Sequence, residues 1–474
     1  MGVDRAARAR QRLPVRAGRR EDRRPLLPRL PLVLELRRHL RLAARGLVVH
    51  DRGVVVRALR ARVRADQVPL PDAHDALRAR DDLRRRRVHG AAHTRVRDGR
   101  CRAAHERRVD LAALPRRVRR ALAVARRAAA CEPRVTTGVL LAQLGTPASP
   151  AVRDVRRYLR EFLSDPRVID LPAPARWLLV NAVIAPFRAP KSAHAYQAVW
   201  TPAGSPLLVH SRGFAEALQR ELGDGFRVAL GMRYGAPRLA DALAELCDAG
   251  VSRIVAFPLY PQVAESSSGT AIAAIRDAAA KRTSAPPLAF VPAFFAQAGF
   301  IAAVAEQTRA VIERARCDHL LLSYHGLPER HVRAADPTRS HCLASGTCCD
   351  APPASVLASC YRAQCFATTR AIRAALALPS ERVTTSFQSR LGRDPWIKPW
   401  SDEELPRLAA RGVKRLAVAC PSFVADCLET LEEVGIRARE QWLALGGEEL
   451  ALVPCVNADS SWVRAAAELV RTSR

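Results

Sequence analysis

From Val135 to the carboxyl end, short apolar runs alternate with longer amphipathic stretches, and this alternation leaves few architectures open. The candidate strands are Gly138–Leu144, Phe226–Met232, Arg253–Phe257, His319–Tyr324, Val383–Phe387, Arg415–Ala419 and Leu450–Pro454. Helical stretches such as Val152–Phe162, Gly213–Leu222 and Leu239–Asp248 lie between them. Buried strands alternating with helices predict an α/β fold built on parallel, doubly wound sheets. The pattern also repeats. Gly250-Val251-Ser252-Arg253 leads into one apolar strand, and Gly412-Val413-Lys414-Arg415 leads into another roughly 160 residues later. Each is preceded by a helix (Arg238–Ala249 and Glu403–Arg411) and a strand. The expectation is two similar Rossmann-like domains, 135–295 and 296–474, facing a central cleft where a ligand binds. No G-x-G-x-x-G follows a strand and no G-x-x-x-x-G-K-[ST] occurs, which argues against nucleotide binding.

Residues 1–134 do not share this pattern. The whole chain carries a formal net charge of +31, but 38 Arg against 14 acids place +24 of it in this segment. The segment contains no Phe, Trp, Tyr, Ile or Lys, so any core would have to come from Leu, Val and Ala interrupted by Arg. A nucleic-acid tail normally mixes Lys with Arg and carries stacking aromatics, and a transit peptide is Ser-rich and acid-poor. Neither description fits. The segment reads as non-globular: a disordered stretch, or GC-rich reading frame lying upstream of the true start. No nucleic-acid partner is expected.

Chemistry concentrates at strand ends in the second half. Strand His319–Tyr324 runs into His325-Gly326-Leu327-Pro328, which places an imidazole on a loop at the cleft. A lone His is more often structural. The matching strand Arg415–Ala419, however, opens into Cys420-Pro421-Ser422-Phe423-Val424-Ala425-Asp426-Cys427-Leu428-Glu429. Asp426 and Glu429 are three apart, expected on one face of a starting helix. Acids there can also simply complement the helix dipole. A base and a carboxylate from equivalent strand ends would converge on the same cleft.

These segments carry a family resemblance. Val139–Pro147 (VLLAQLGTP), Leu321–Pro328 (LLSYHGLP), Phe387–Pro395 (FQSRLGRDP) with Trp396, and Cys420–Leu431 (CPSFVADCLETL) together resemble ferrochelatase. Tyr158–Pro172, Gly204–Leu208 (GSPLL) and Pro258–Pro261 (PLYP) add to it, so the likeness runs in order from Gly138 to Val470. The resemblance implies insertion of Fe²⁺ into protoporphyrin IX with release of two protons. It assigns His325 as proton acceptor and iron contact, and Glu429 as the carboxylate that guides metal or removes protons. Arg233, Tyr234 and Trp396 match positions lining the porphyrin pocket, and Leu144 stands over the metal site where other branches have Met or Tyr. Cys427 replaces the His that many relatives carry. A related chelatase, taking another metal, coproporphyrin or sirohydrochlorin, is the alternative; an Arg-rich nucleic-acid-binding protein is the remote one.

Of twelve cysteines, five fall in 342–365: Cys342, Cys348, Cys349, Cys360 and Cys365. Such density in a cytoplasmic α/β enzyme points to metal, and the spacing lacks the C-x₂-C pair of a zinc ribbon. Some bacterial ferrochelatases carry a [2Fe–2S] cluster in an insertion here. Four of the five are the expected ligands; adjacent Cys348 and Cys349 are expected to point apart, with only one of them, Cys349 by preference, ligating. No apolar run is long enough to span a bilayer. Trp177–Phe187 reads either as a buried helix, the commoner outcome, or as a lip making peripheral contact with a membrane or a large apolar ligand.

Overall fold

The computed structural model describes residues 137–390, 392 and 394–473, so the expectations for residues 1–134 lie outside the described residues. Two four-stranded sheets organise the chain. The first holds β1 (Thr137–Thr146), β2 (Phe226–Gly235), β3 (Arg253–Pro258) and β4 (Leu288–Phe290), in the order β2-β1-β3-β4. The second holds β5 (His319–His325), β6 (Val383–Gln388), β7 (Arg415–Ala419) and β8 (Glu449–Leu452), in the order β6-β5-β7-β8. All neighbours are parallel. The two sheets thus repeat one topology, and the echoed turns lead into the equivalent strands β3 and β7. Gly250 and Gly412 there have φ of +72° and +85°. That left-handed conformation closes a helix end at little cost only for glycine.

The central strands are covered on both faces, so they read as continuous apolar runs. Val139 to Ala142 of β1 are fully buried. Helices α1 (Val152–Leu163), α2 (Ala173–Leu178), α3 (Ala185–Val199), α4 (Pro206–Leu222), α5 (Leu239–Asp248), α6 (Thr270–Ala280) and α7 (Ala298–Ala315) accompany the first sheet in sequence. Then come α8 (Glu329–Ala334), α9 (Ala354–Ser359), α10 (Tyr361–Ala375), α11 (Ser401–Ala410), α12 (Leu428–Leu431), α13 (Arg439–Ala444) and α14 (Ser460–Thr472). The last helix returns to the first sheet. Trp462 of α14 is fully buried, 5.7 Å from Phe214 of α4, 5.4 Å from Phe294 and 6.2 Å from Phe257 of β3. Each such ring pair contributes about 0.5–1.5 kcal/mol beyond its area. One hydrophobic cluster therefore runs through both halves and fixes the two sheets against each other.

Three elements differ from expectation. β4 was not anticipated: three residues are too few to show a period. α4 begins at Pro206 rather than Gly213, because Pro supplies a ready first turn. The third difference is the run Trp177–Phe187, which is not a buried helix. It continues from α2 through a π-helical turn (Leu179–Ile184) into α3, with Trp177 64% and Phe187 80% exposed. Among the described residues, no helix is long and apolar enough to cross a membrane.

Candidate active site

The strand order reverses between β5 and β7, and the loops leaving their carboxyl ends meet there. The His325 backbone N–H donates to Ser422 Oγ at 3.1 Å, joining the two loops. Its carbonyl accepts from the Tyr361 hydroxyl at 2.8 Å. Nδ1 lies 2.7 Å from the Gly326 carbonyl, which can only accept, so Nδ1 carries the proton. In the neutral ring, Nε2 therefore holds the free lone pair. The loop closes tightly behind this residue. A Cβ on Gly326 would sit 2.8 Å from the Gln388 carbonyl and 3.2 Å from Trp396 Cε3. Glycine thus lets Trp396 pack over the turn, where Pro328 and Trp396 also form a β-bridge.

Glu429 enters from the β7 side, in the single turn of α12. Gln388, at the end of β6, donates from Nε2 to the Glu429 carbonyl at 2.9 Å and accepts from Ser323 Oγ at 2.6 Å. Leu428 joins Leu144, Tyr158 and Tyr196 in one apolar cluster, and the charge of Glu429 acts on the two tyrosines of the first half. Burial first, with the Glu429 charge contributing, raises the Tyr158 and Tyr196 phenols well above their ordinary range. Arg188 of α3 lies in the field of both Glu433 and Glu429.

Asp426 does not share a face with Glu429. The helix starts at Leu428, after an extended Cys427, so Asp426 precedes it. Its buried carboxylate accepts from Thr430 Oγ1 (3.1 Å), Cys455 N (3.2 Å) and Asn457 Nδ2 (2.8 Å), which ties down the loop. The second carboxylate near Glu429 is instead Glu433, in the π-helical turn Glu433–Ala438. It accepts from Ser389 N (2.9 Å) and Ser389 Oγ (2.6 Å), with Arg437 at 3.8 Å. Ser389 is held at φ +66° to make both bonds. Burial pushes the Glu433 carboxyl up and the nearby Glu429 charge adds to this, against Ser389, Arg437 and His325. Glu433 also lines a cavity of about 280 Å³ with Ser323, Gln388, Ser401 and Arg437. The four-residue spacing Glu429–Glu433 was the available signal for it.

On the first half, Tyr234 is not free to stack on a ligand. It is 1% exposed, its ring 5.1 Å from Phe162, and its hydroxyl donates to Asp165 at 2.9 Å. Arg233 pairs with the same carboxylate at 2.5 Å, donates to Thr270 Oγ1 at 2.7 Å and keeps 23% of its side chain exposed. Burial raises Asp165, but bonds from Thr270, Arg167 N and Tyr234 and the Arg233 charge bring it below the usual carboxylate range.

The cysteine-rich segment forms a separate cluster beside α10. Cys348 and Cys349 do not point apart: their sulfurs are 3.8 Å from each other. Cys349 also meets Cys360, and Cys360 meets Cys342, giving a chain of four thiols. Burial raises Cys342 and Cys348, and the Cys360 contact together with burial raises Cys349. Cys365 is buried further along α10 against Tyr361. Among the described residues, no three His, Cys, Asp or Glu side chains converge on one point as a single ion would require. The four sulfurs form a pairwise chain, with Arg362 Nη1 3.0 Å from Cys349 Sγ. They do not suit one tetrahedral zinc.

A family model described as ferrochelatase matches residues 136–474. The ferrochelatase of Azotobacter vinelandii is 49% identical over 334 residues, covering 70% of this chain and 98% of that protein. That of Legionella pneumophila is 46% identical over 335 residues, 70% of this chain and 98% of its own. The Coxiella burnetii ferrochelatase is 45% identical over 336 residues, 71% and 93% respectively. With that coverage and the paired sheets behind His325 and Glu429, the chain belongs to the ferrochelatase family.

Proposed function

We propose that His325, Glu429 and Glu433 are the groups through which this chain performs the iron insertion of its family, the step that makes protoheme from Fe²⁺ and protoporphyrin IX. The carrying observation is the commitment of His325 Nδ1 to the Gly326 carbonyl, which leaves the Nε2 lone pair of the neutral ring available as a base. The reaction replaces two pyrrole N–H bonds with Fe–N bonds and changes no oxidation state, so two protons must leave. Nε2 takes a pyrrole proton. Glu429 and Glu433 stand four residues apart in successive turns, and these carboxylates would carry the protons onward. Leu144 would supply an apolar wall in the cluster that also holds Leu428, and the Trp396 ring packs over the Gly326 turn next to His325. Arg233, partly exposed, offers a guanidinium to a polar edge of the macrocycle. Glu429→Gln keeps shape and removes the charge. Iron insertion should fall about 10²-fold while porphyrin still quenches protein fluorescence, and near-normal turnover would remove Glu429 from this role.

The apolar face of α2 and α3, with Trp177, Val183 and Phe187 exposed, supports peripheral contact with a lipid surface. Trp177→Ser with Phe187→Ser should abolish co-sedimentation with lipid vesicles; unchanged sedimentation would reject that contact. In place of a set that uses only one of the adjacent pair, the sulfur contacts favour Cys342, Cys348, Cys349 and Cys360, which could give two thiolates to each iron of a [2Fe–2S] centre and would leave Cys365 as the fifth, unused thiol. Because insertion is redox-neutral, such a centre would supply a structural clamp that responds to reduction, not a chemical step. The clamp has a direct route to the base, since Cys360 caps the start of α10 and the first residue of that helix, Tyr361, holds the His325 carbonyl.

A further inference from the structure

Among the described residues, one buried cation beside the four thiols, Arg362, forms no ion pair with a carboxylate. Arg362, the second residue of α10, is 8% exposed. Its Nη1 donates to Cys349 Sγ at 3.0 Å and to Cys348 Sγ at 3.8 Å. Its Nε donates to the Lys398 carbonyl at 3.2 Å, and the guanidinium lies 4.7 Å from the Phe366 ring centroid. Among the described residues, every other ion pair joins an Arg or His to a carboxylate, and none includes Arg362. A guanidinium does not lose its proton in a protein, and a buried charge is retained only where it is paired. Phe366 offers only the weak field of a ring face, and Lys398 only a neutral carbonyl. Among the described residues that Arg362 contacts, the groups that can become anionic are the two sulfurs.

We propose that Arg362 is the counter-ion of an anionic iron–sulfur centre on Cys342, Cys348, Cys349 and Cys360, and the tie between that centre and the loop bearing Trp396. The first clause rests on the cluster reading above. A four-thiolate [2Fe–2S] centre is negatively charged and gains one further negative charge on reduction. A cation hydrogen-bonded to two of its sulfurs stabilises the reduced form more than the oxidised form, so Arg362 raises the reduction potential. The same side chain reaches Lys398, two residues from Trp396, so the sulfur centre and the porphyrin-side loop share one anchor.

The test compares the full chain with Arg362→Gln and Arg362→Lys, all purified anaerobically. Iron and sulfide per chain are measured, and the visible band is followed in a redox titration. Arg362→Gln should lower the reduction equilibrium about tenfold, equal to about 59 mV for a one-electron couple. Arg362→Lys, which keeps the charge, should stay within about twofold of the parent. A Gln variant within about twofold of the parent overturns the proposal, as does a Lys variant displaced as far as the Gln variant. If the Gln variant cannot retain iron at all, retention by the Lys variant supports the charge argument, and equal loss overturns it. A parent chain free of iron and sulfide would instead defeat the cluster reading itself, an outcome separate from an unshifted potential.

Discussion

Replacing Asp165 by Asn tests the polar anchor of the first half. The carboxylate is buried, and Oδ2 receives Arg233, Thr270 Oγ1 and the Tyr234 hydroxyl while Oδ1 receives Arg167 N at 2.8 Å. An amide has one oxygen. If that oxygen keeps the three-donor side, its NH₂ faces Arg167 N; if it flips, three donors lose their acceptor. In either orientation the Arg233 charge is unpaired. Removing one partner of a buried pair costs about 3–5 kcal/mol, and Arg233 is 23% exposed, so the low end applies: about 3 kcal/mol at neutral pH. The pH dependence follows from the sign of the shift. The folded carboxyl titrates below its unfolded value of about 3.9, so its stabilisation is complete above that value and is lost as pH falls through the folded one. Urea unfolding followed by circular dichroism should show a constant gap between parent and variant from about pH 5 to 8, narrowing below about pH 4. A gap under about 1 kcal/mol at pH 7, or one that does not narrow in acid, would refute the assignment of Asp165 as anchor.

Glu433→Gln should slow turnover about tenfold or more and remove the acid limb of the kcat profile. Burial raises this carboxyl, so in the parent that limb should lie above the ordinary carboxylate range; an unchanged limb in the variant would assign it to another group. A chain beginning at Val135 should fold and retain full activity, because the family match starts at residue 136 and relatives cover 93–98% of their own length with this region alone. Insoluble or inactive protein from that start would give residues 1–134 a role.

Much of the fold could be read from apolar runs because its central strands are buried on both faces and its turns repeat. β7 has the expected bounds, and β5 extends one residue further, to His325. Hydrophobicity could not tell a buried helix from an exposed apolar one, which is why Trp177–Phe187 was misplaced. Residue spacing alone put Asp426 beside Glu429, but a helix boundary one residue beyond Cys427 turned it into the loop. Tyr234 matched a pocket motif, yet a strand side chain points to one of two faces, and its face is the core. Glu433 and Arg362 depend on partners distant in sequence, Ser389 and the four thiols, so only the folded chain reveals them.

The most direct measurement of the central claim is anaerobic formation of protoheme from Fe²⁺ and protoporphyrin IX by the parent chain and by His325→Ala. The variant should bind porphyrin with affinity close to the parent, since the apolar wall at Leu144 and the ring of Trp396 remain. It should form almost no protoheme, because no other imidazole offers its lone pair from the β5 loop. Protoheme formed by folded His325→Ala at close to the parent rate would contradict the assignment of His325 as the base.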